Sequence, residues 1–173
     1  MEIRRTIMAV LVLIIVVSFF LPWVSVESEA VAGVTKLLTG KAQAKIDSIS
    51  GFKVPILANS GESRFMISII KIFQPDIKDA DKKSFLIWSI PLLAIIMFGL
   101  TNALRNNKWV RLAIGVVGIA IFALATFKIV TTDLDKLVLK INISHGLWLI
   151  LVGYLGIGLL QVTEFFLLNK SAK

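Results

Sequence analysis

No cysteine occurs among the 173 residues, and there is a single histidine, His145. Disulfides, thiolate ligands, iron–sulfur clusters and a lipoprotein anchor are therefore excluded, and a zinc site has too few ligands. Acidic charge is also scarce, at 11 Asp and Glu against 19 Lys and Arg. No phosphate-cradling glycine loop, nucleophile elbow, HExxH helix or CxxC pair appears. Each needs its residues at a fixed spacing to do its chemistry. The chain is accordingly expected not to be an enzyme, with no catalytic residue, no metal site and no cofactor.

Apolar sequence is abundant. Hydrophobic residues make up 57% and mean hydropathy is +0.86, above the ~45–50% apolar usage of soluble domains. Four runs carry the excess: 6–26, 85–104, 112–130 and 147–168. A bilayer crossing takes ~20 mostly apolar residues at 1.5 Å each, and inside hydrocarbon each backbone polar group must be paired within its own helix. The runs are too long and too uniform for barrel strands. The expected fold class is an all-α membrane protein, a four-helix transmembrane bundle with a small extracytoplasmic β-sheet and an amphipathic helix.

Charge distribution predicts the orientation. Arg4 and Arg5 precede the first run, Arg105, Lys108 and Arg111 fill the turn at 105–111, and Lys170 and Lys173 lie in the tail at 169–173. Only Glu2 opposes them outside the apolar runs. The long connection at 27–84 has nine Lys and Arg against seven Asp and Glu, and the connection at 131–146 is balanced. Short basic flanks stay inside, which places both termini in the cytoplasm. Trp23, Trp88, Trp109 and Trp148 all fall at run ends, the depth that indole prefers. The basic side then faces anionic headgroups, so the lipid bilayer is the expected partner and nucleic acid is not. The first run exceeds a cleavable signal's ~7–15 apolar residues and is read as a retained anchor. The absence of disulfides points to a prokaryotic cytoplasmic membrane.

The two outer connections show their own patterning. In 27–84, Ser63 caps and Pro75 stops a helix over 63–73, on which Phe65, Met66, Ile69, Ile70 and Phe73 form one stripe. That stripe is the candidate partner-binding surface. Residues 51–57 read as an edge strand limited by Pro55. Leu137, Leu139, Ile141 and Ile143 alternate with polar or smaller residues as a strand. A strand cannot stand alone, so a sheet from 23–27, 51–57 and 137–144 is expected. Asp76, Asp79 and Asp81 are interspersed with lysines and read as a solvated linker.

The stretch Leu21-Pro22-Trp23-Val24-Ser25-Val26, placed where the first span meets a strand, resembles the claudin and peripheral-myelin-protein superfamily. The layout is similar too: four spans, cytoplasmic termini, a long first and a short second outer loop. The resemblance implies an outer sheet joined by a strand from the second loop, and adhesive, pore-forming or channel-accessory roles. The chain has neither the Trp-Gly-Leu-Trp signature nor the paired loop cysteines, so only architecture is carried over.

Within the runs, ionisable groups are the functional candidates, since each costs ~2.5–3.5 kcal/mol at the bilayer centre. Lys128 lies at a run end and can snorkel. Glu164 shares a helical face with Gln161, Leu160, Ile157, Gly156 and Gly153. That face is expected to point into the bundle, with Glu164 anchored by Arg105, Arg111 or Asn102. Pro91 is expected to kink its helix. Two functions follow. One is a non-catalytic accessory or scaffold protein that binds a membrane-protein partner or a second copy through its bundle and outer domain. The alternative is a small oligomeric transporter or channel using Glu164, Gln161 and Asn102.

Overall fold

The computed structural model describes residues 2–26, 48–58, 84–131 and 141–171. In chain order the elements are helix α1 (Glu2–Ser18), strands β1 (Pro22–Val26) and β2 (Ser48–Ser50), and helix α2 (Lys53–Ala58). A 3-10 turn (Ser84–Trp88), helices α3 (Ser89–Ala103) and α4 (Lys108–Thr131), strand β3 (Ile141–Ile143) and helix α5 (His145–Ser171) follow. The described chain is mostly helical and forms two compact units. One is built from α1, α3 and most of α4 and α5; the other holds the sheet, α2 and the adjoining helix ends.

Three stretches are long and apolar enough to cross a membrane: Leu86–Ala103, Lys108–Thr131 and His145–Asn169. Their outward faces carry Leu92, Ile96, Val116, Leu124, Phe127, Val152 and Leu159, each more than half exposed. A soluble protein rarely leaves such continuous apolar surface in water. Hydrocarbon is the solvent that suits it.

The first apolar run behaves differently from the expected span over 6–26. α1 starts earlier, at Glu2, and stops at Ser18. Pro22 supplies the reason, because in a continuing helix its ring would clash with the carbonyl four residues back, that of Ser18, and it has no N–H to donate. The chain turns at Phe19 and Phe20 and enters β1. At 17 residues, α1 is ~26 Å long, just short of a ~30 Å hydrocarbon core.

α5 organises the helical unit. Half of its apolar window is buried, against 17% for those of α3 and α4. Against α4 the approach is closest: a Cβ on Gly118 would lie 2.8 Å from the Tyr154 carbonyl oxygen, and one on Gly158 would lie 2.9 Å from the Ile119 amide nitrogen. Without side chains there, the two backbones touch. Toward α1, Gly153 lies under Ile15. α1 presents Met8, Val12, Ile15 and Ser18 as its buried stripe. Toward α3, the Tyr154 hydroxyl donates to the Ile90 carbonyl at 2.5 Å. Small residues thus serve intramolecular packing.

In the second unit the sheet order is β2-β1-β3, all antiparallel. β1 is central, pairing Val24 with Ile49 on one side and with Ile143 on the other. Between Pro22 and Val24 the β1–β2 register shifts, so Trp23 occupies a bulge. The bulge tucks the indole inward, 6% exposed, edge-on to Phe19 at 5.6 Å. A Cβ on Gly51 would run into the Trp23 ring, so only glycine fits beneath it. Trp23 is thus covered by the protein's own side chains. Trp88, Trp109 and Trp148 remain exposed.

A second correction concerns 51–57, expected to be an edge strand. The strand lies just upstream at Ser48–Ser50, and Lys53–Ala58 is a helix with Pro55 in its first turn. Proline is tolerated there because that N–H has no intrahelical partner anyway. Pro91 likewise falls in the first turn of α3, directly after the 3-10 turn, so a change of helix type replaces the expected kink. Of the strand expected over 137–144, Ile141–Ile143 is formed, while 137–140 lie outside the described residues.

Candidate functional site

The candidate site is the polar face of α5 and the residues that meet it. Gly153, Ile157, Gln161 and Glu164 recur at four-, four- and three-residue spacing and are all buried. Leu160 and Gly156 are half-buried at the margin of the same face. The helical period alone puts these residues on one side, and packing then turns that side inward.

Glu164 forms an ion pair with Arg111 of α4. Both side chains are about nine-tenths buried. Arg111 has no spare geometry, because its Nε and one terminal nitrogen donate to the Arg105 carbonyl at 3.0 and 2.8 Å while the other terminal nitrogen meets the carboxylate. The guanidinium fork thus ties the turn at 105–111 to α5. A charge-assisted, multiply bonded arginine of this kind is positional as well as electrostatic.

Gln161 is 1% exposed and its amide nitrogen donates to the Met8 sulfur of α1 at 3.7 Å. Its carbonyl oxygen Oε1 has no hydrogen-bond partner among the described residues. Asn102 is not part of this constellation. Its amide donates to the Phe98 carbonyl of its own helix at 2.8 Å, and Thr101 does the same with Met97 at 2.8 Å. The structure thus joins Gln161 and Glu164 in one seam and spends Asn102 on backbone.

The remaining sequence candidates fall as follows. His145 is the exposed first residue of α5, beside Ser144, whose hydroxyl donates to that of Ser25 at 3.2 Å. Lys128 is exposed in the last turn of α4. Phe65, Met66, Ile69, Ile70 and Phe73 lie outside the described residues, as do Asp76, Asp79 and Asp81. Among the described residues no three His, Cys, Asp or Glu side chains gather where a metal ion could bind. Two members of the helical joint escaped the sequence reading: Met8, which looks like any aliphatic span residue, and Tyr154. The latter carried a signal, being the chain's single tyrosine set in mid-run, where a buried hydroxyl has to find an acceptor.

The chain matches no protein-family model, no curated protein and no solved structure.

Proposed function

We propose that this chain is a non-catalytic integral membrane accessory or scaffold protein, with four spans and both termini cytoplasmic, whose bundle and outer sheet hold a membrane-protein partner. One observation carries the reading: all but two buried polar groups of the helices, Thr126 Oγ1 and Gln161 Oε1, go into helix–helix and helix–backbone joints among the described residues. Glu164 is taken by Arg111, the Gln161 amide by Met8, Tyr154 by Ile90, and Asn102, Thr101 and Thr163 by their own helices. A transport path needs polar groups facing a lumen at several depths. The claudin-like layout supports the same reading, since β1 follows α1 after three residues and is joined by β3 from the later connection. α1 serves as the fourth crossing, its ~26 Å extended by the exposed Phe20 and Leu21.

Orientation is tested by single cysteines at Ser60 and Asn107 in this cysteine-free chain. On intact cells an impermeant maleimide is expected to label Ser60→Cys and to spare Asn107→Cys until the membrane is opened. The reverse pattern overturns the topology.

Function is tested by reconstitution. Proteoliposomes of the purified chain are expected to show no proton or cation flux above empty vesicles, and mild-detergent purification to retain a membrane partner in fixed stoichiometry. The transporter or channel reading has in its favour two buried polar atoms without a hydrogen-bond partner among the described residues, Gln161 Oε1 and Thr126 Oγ1. Flux that Glu164→Gln abolishes in a folded protein would put that reading first.

A further inference from the structure

The turn between α3 and α4 and the end of α5 hold more positive charge than their ion pair uses. No Asp or Glu occurs in 105–111 or 165–173, and the nearby Glu164 is already spent on Arg111. Arg105 offers its carbonyl to Arg111, while its own guanidinium is exposed and meets no carboxylate among the described residues. Lys108 is held by a neutral group, donating to the Asn169 side chain at 3.0 Å with its ammonium 5.9 Å from the Trp109 ring. An ammonium has three donors, and this tether takes one.

The same place is concave. Asn106, Asn107, Lys108 and Leu168 line an open cleft of about 540 Å³, within the ~300–1,000 Å³ typical of small-ligand sites. Its walls differ in character. Asn107 caps α4, its oxygen accepting from the Trp109 and Val110 amides at 3.0 and 3.4 Å, which leaves its side-chain NH₂ group as a donor. Leu168 is the apolar member of the lining; outside it, Trp109, 65% exposed, lies 5.9 Å from Phe165.

From these observations we infer that this cleft binds an anionic phospholipid. Lys108 and the two asparagines of the cleft take the phosphodiester and headgroup, Arg105 adds positive charge from the same turn, and Leu168 lines the first part of the acyl chains. α4 starts and α5 ends here, so the cleft lies at the depth of a bilayer surface, where basic pockets between helices recruit anionic headgroups. A free phosphate satisfies the cations but leaves Leu168 without an apolar partner. The inference rests on the membrane reading of α4 and α5 and is independent of the accessory role.

The test uses the full-length chain in neutral detergent, titrated with phosphatidylglycerol, phosphatidylcholine or inorganic phosphate. Bound lipid is counted by native mass spectrometry and stability followed by tryptophan fluorescence on heating. Phosphatidylglycerol is expected to bind saturably and raise Tm by several degrees, whereas phosphatidylcholine and millimolar phosphate leave it unchanged. Arg105→Gln with Lys108→Gln is expected to weaken phosphatidylglycerol binding at least tenfold. Leu168→Gln, which keeps both cations and removes the apolar lining residue, provides a second route to the same loss. Arg4→Gln with Arg5→Gln removes equal charge outside the cleft and is expected to change binding less than twofold. The site is overturned if either cleft variant binds phosphatidylglycerol like the parent, if phosphatidylcholine binds equally, or if the Arg4 and Arg5 variant loses as much. A Tm rise with inorganic phosphate equal to that with lipid overturns the lipid assignment. Carbonate extraction of native membranes separates the failures: a chain released by carbonate refutes the membrane reading itself, and a retained chain without lipid preference refutes only the cleft.

Discussion

Arg111→Leu is expected to destabilise the protein by about 3 kcal/mol, the order seen when one partner of a buried ion pair is removed. The substitution leaves Glu164 charged at 8% exposure, seven residues or ~10 Å from the end of α5, and removes both bonds to the Arg105 carbonyl. Glu164→Leu should cost less, ~0.6–2 kcal/mol, on the scale of interhelical bonds measured in membranes. The asymmetry has a physical source. An orphaned Arg111 still donates to the Arg105 carbonyl, whereas an orphaned Glu164 has no other hydrogen-bond partner among the described residues. Glu164→Gln, which keeps the shape and a hydrogen-bond acceptor, should be milder still. The double variant Arg111→Leu with Glu164→Leu is expected to recover most of the loss, since neither charge is then stranded. Unfolding in detergent, followed on the four tryptophans, gives all four values. A double variant as unstable as the sum of the singles would show that the pair does not act as a unit.

The second large effect is steric. Gly158→Val is expected to destabilise by ~1–3 kcal/mol, as overpacking does, and to loosen α4 from α5. A Cβ there would lie 2.7 Å from the Ile119 side chain, 2.9 Å from the Ile119 amide nitrogen and 3.0 Å from the Gly115 carbonyl oxygen. The side chain can swing away, but the two backbone atoms move only if the helix moves. Gly99→Ala provides the control, because nothing lies within 4 Å of its added Cβ. It should be neutral or slightly stabilising, as for an exposed helical glycine. Cysteine pairs introduced across α4 and α5 would report the separation directly through their crosslinking yield. Equal stability of both glycine variants would contradict the close approach.

Hydropathy made the three long helices legible, because a run of twenty apolar residues has few other uses. The three- and four-residue spacing of Gly153, Ile157, Gln161 and Glu164 showed which residues share a side of α5. Charge supplied two cationic candidates for Glu164, Arg105 and Arg111. The end of the first helix was legible in principle, since Pro22 cannot follow Ser18 within one helix, yet the apolar run continues to Val26 and hydropathy registers no break there. Residues 51–57 misled for a related reason. A proline suits either an edge strand or the first turn of a helix, and only the partners of β1 decide between them.

Composition and periodicity alone therefore determined the apolar character, the positions of the three helices long enough to cross a membrane and the helical side on which the α5 polar residues lie. Those properties depend on single residues or on neighbours within one helix, and the linear order states them. The tertiary structure decided the rest: that Arg111 and not Arg105 carries the ion pair, that Asn102 turns to its own backbone, that Trp23 is buried in a bulge over Gly51, and that Lys108 reaches Asn169. Each of these depends on which atoms of distant segments come within a few ångströms. Arg105 and Arg111 differ little in charge or sequence distance from Glu164, and the choice between them is made by the backbone contact of α4 and α5 at Gly115, Gly118 and Gly158. That contact sets the helices' register, and the register places one guanidinium at the carboxylate and leaves the other exposed.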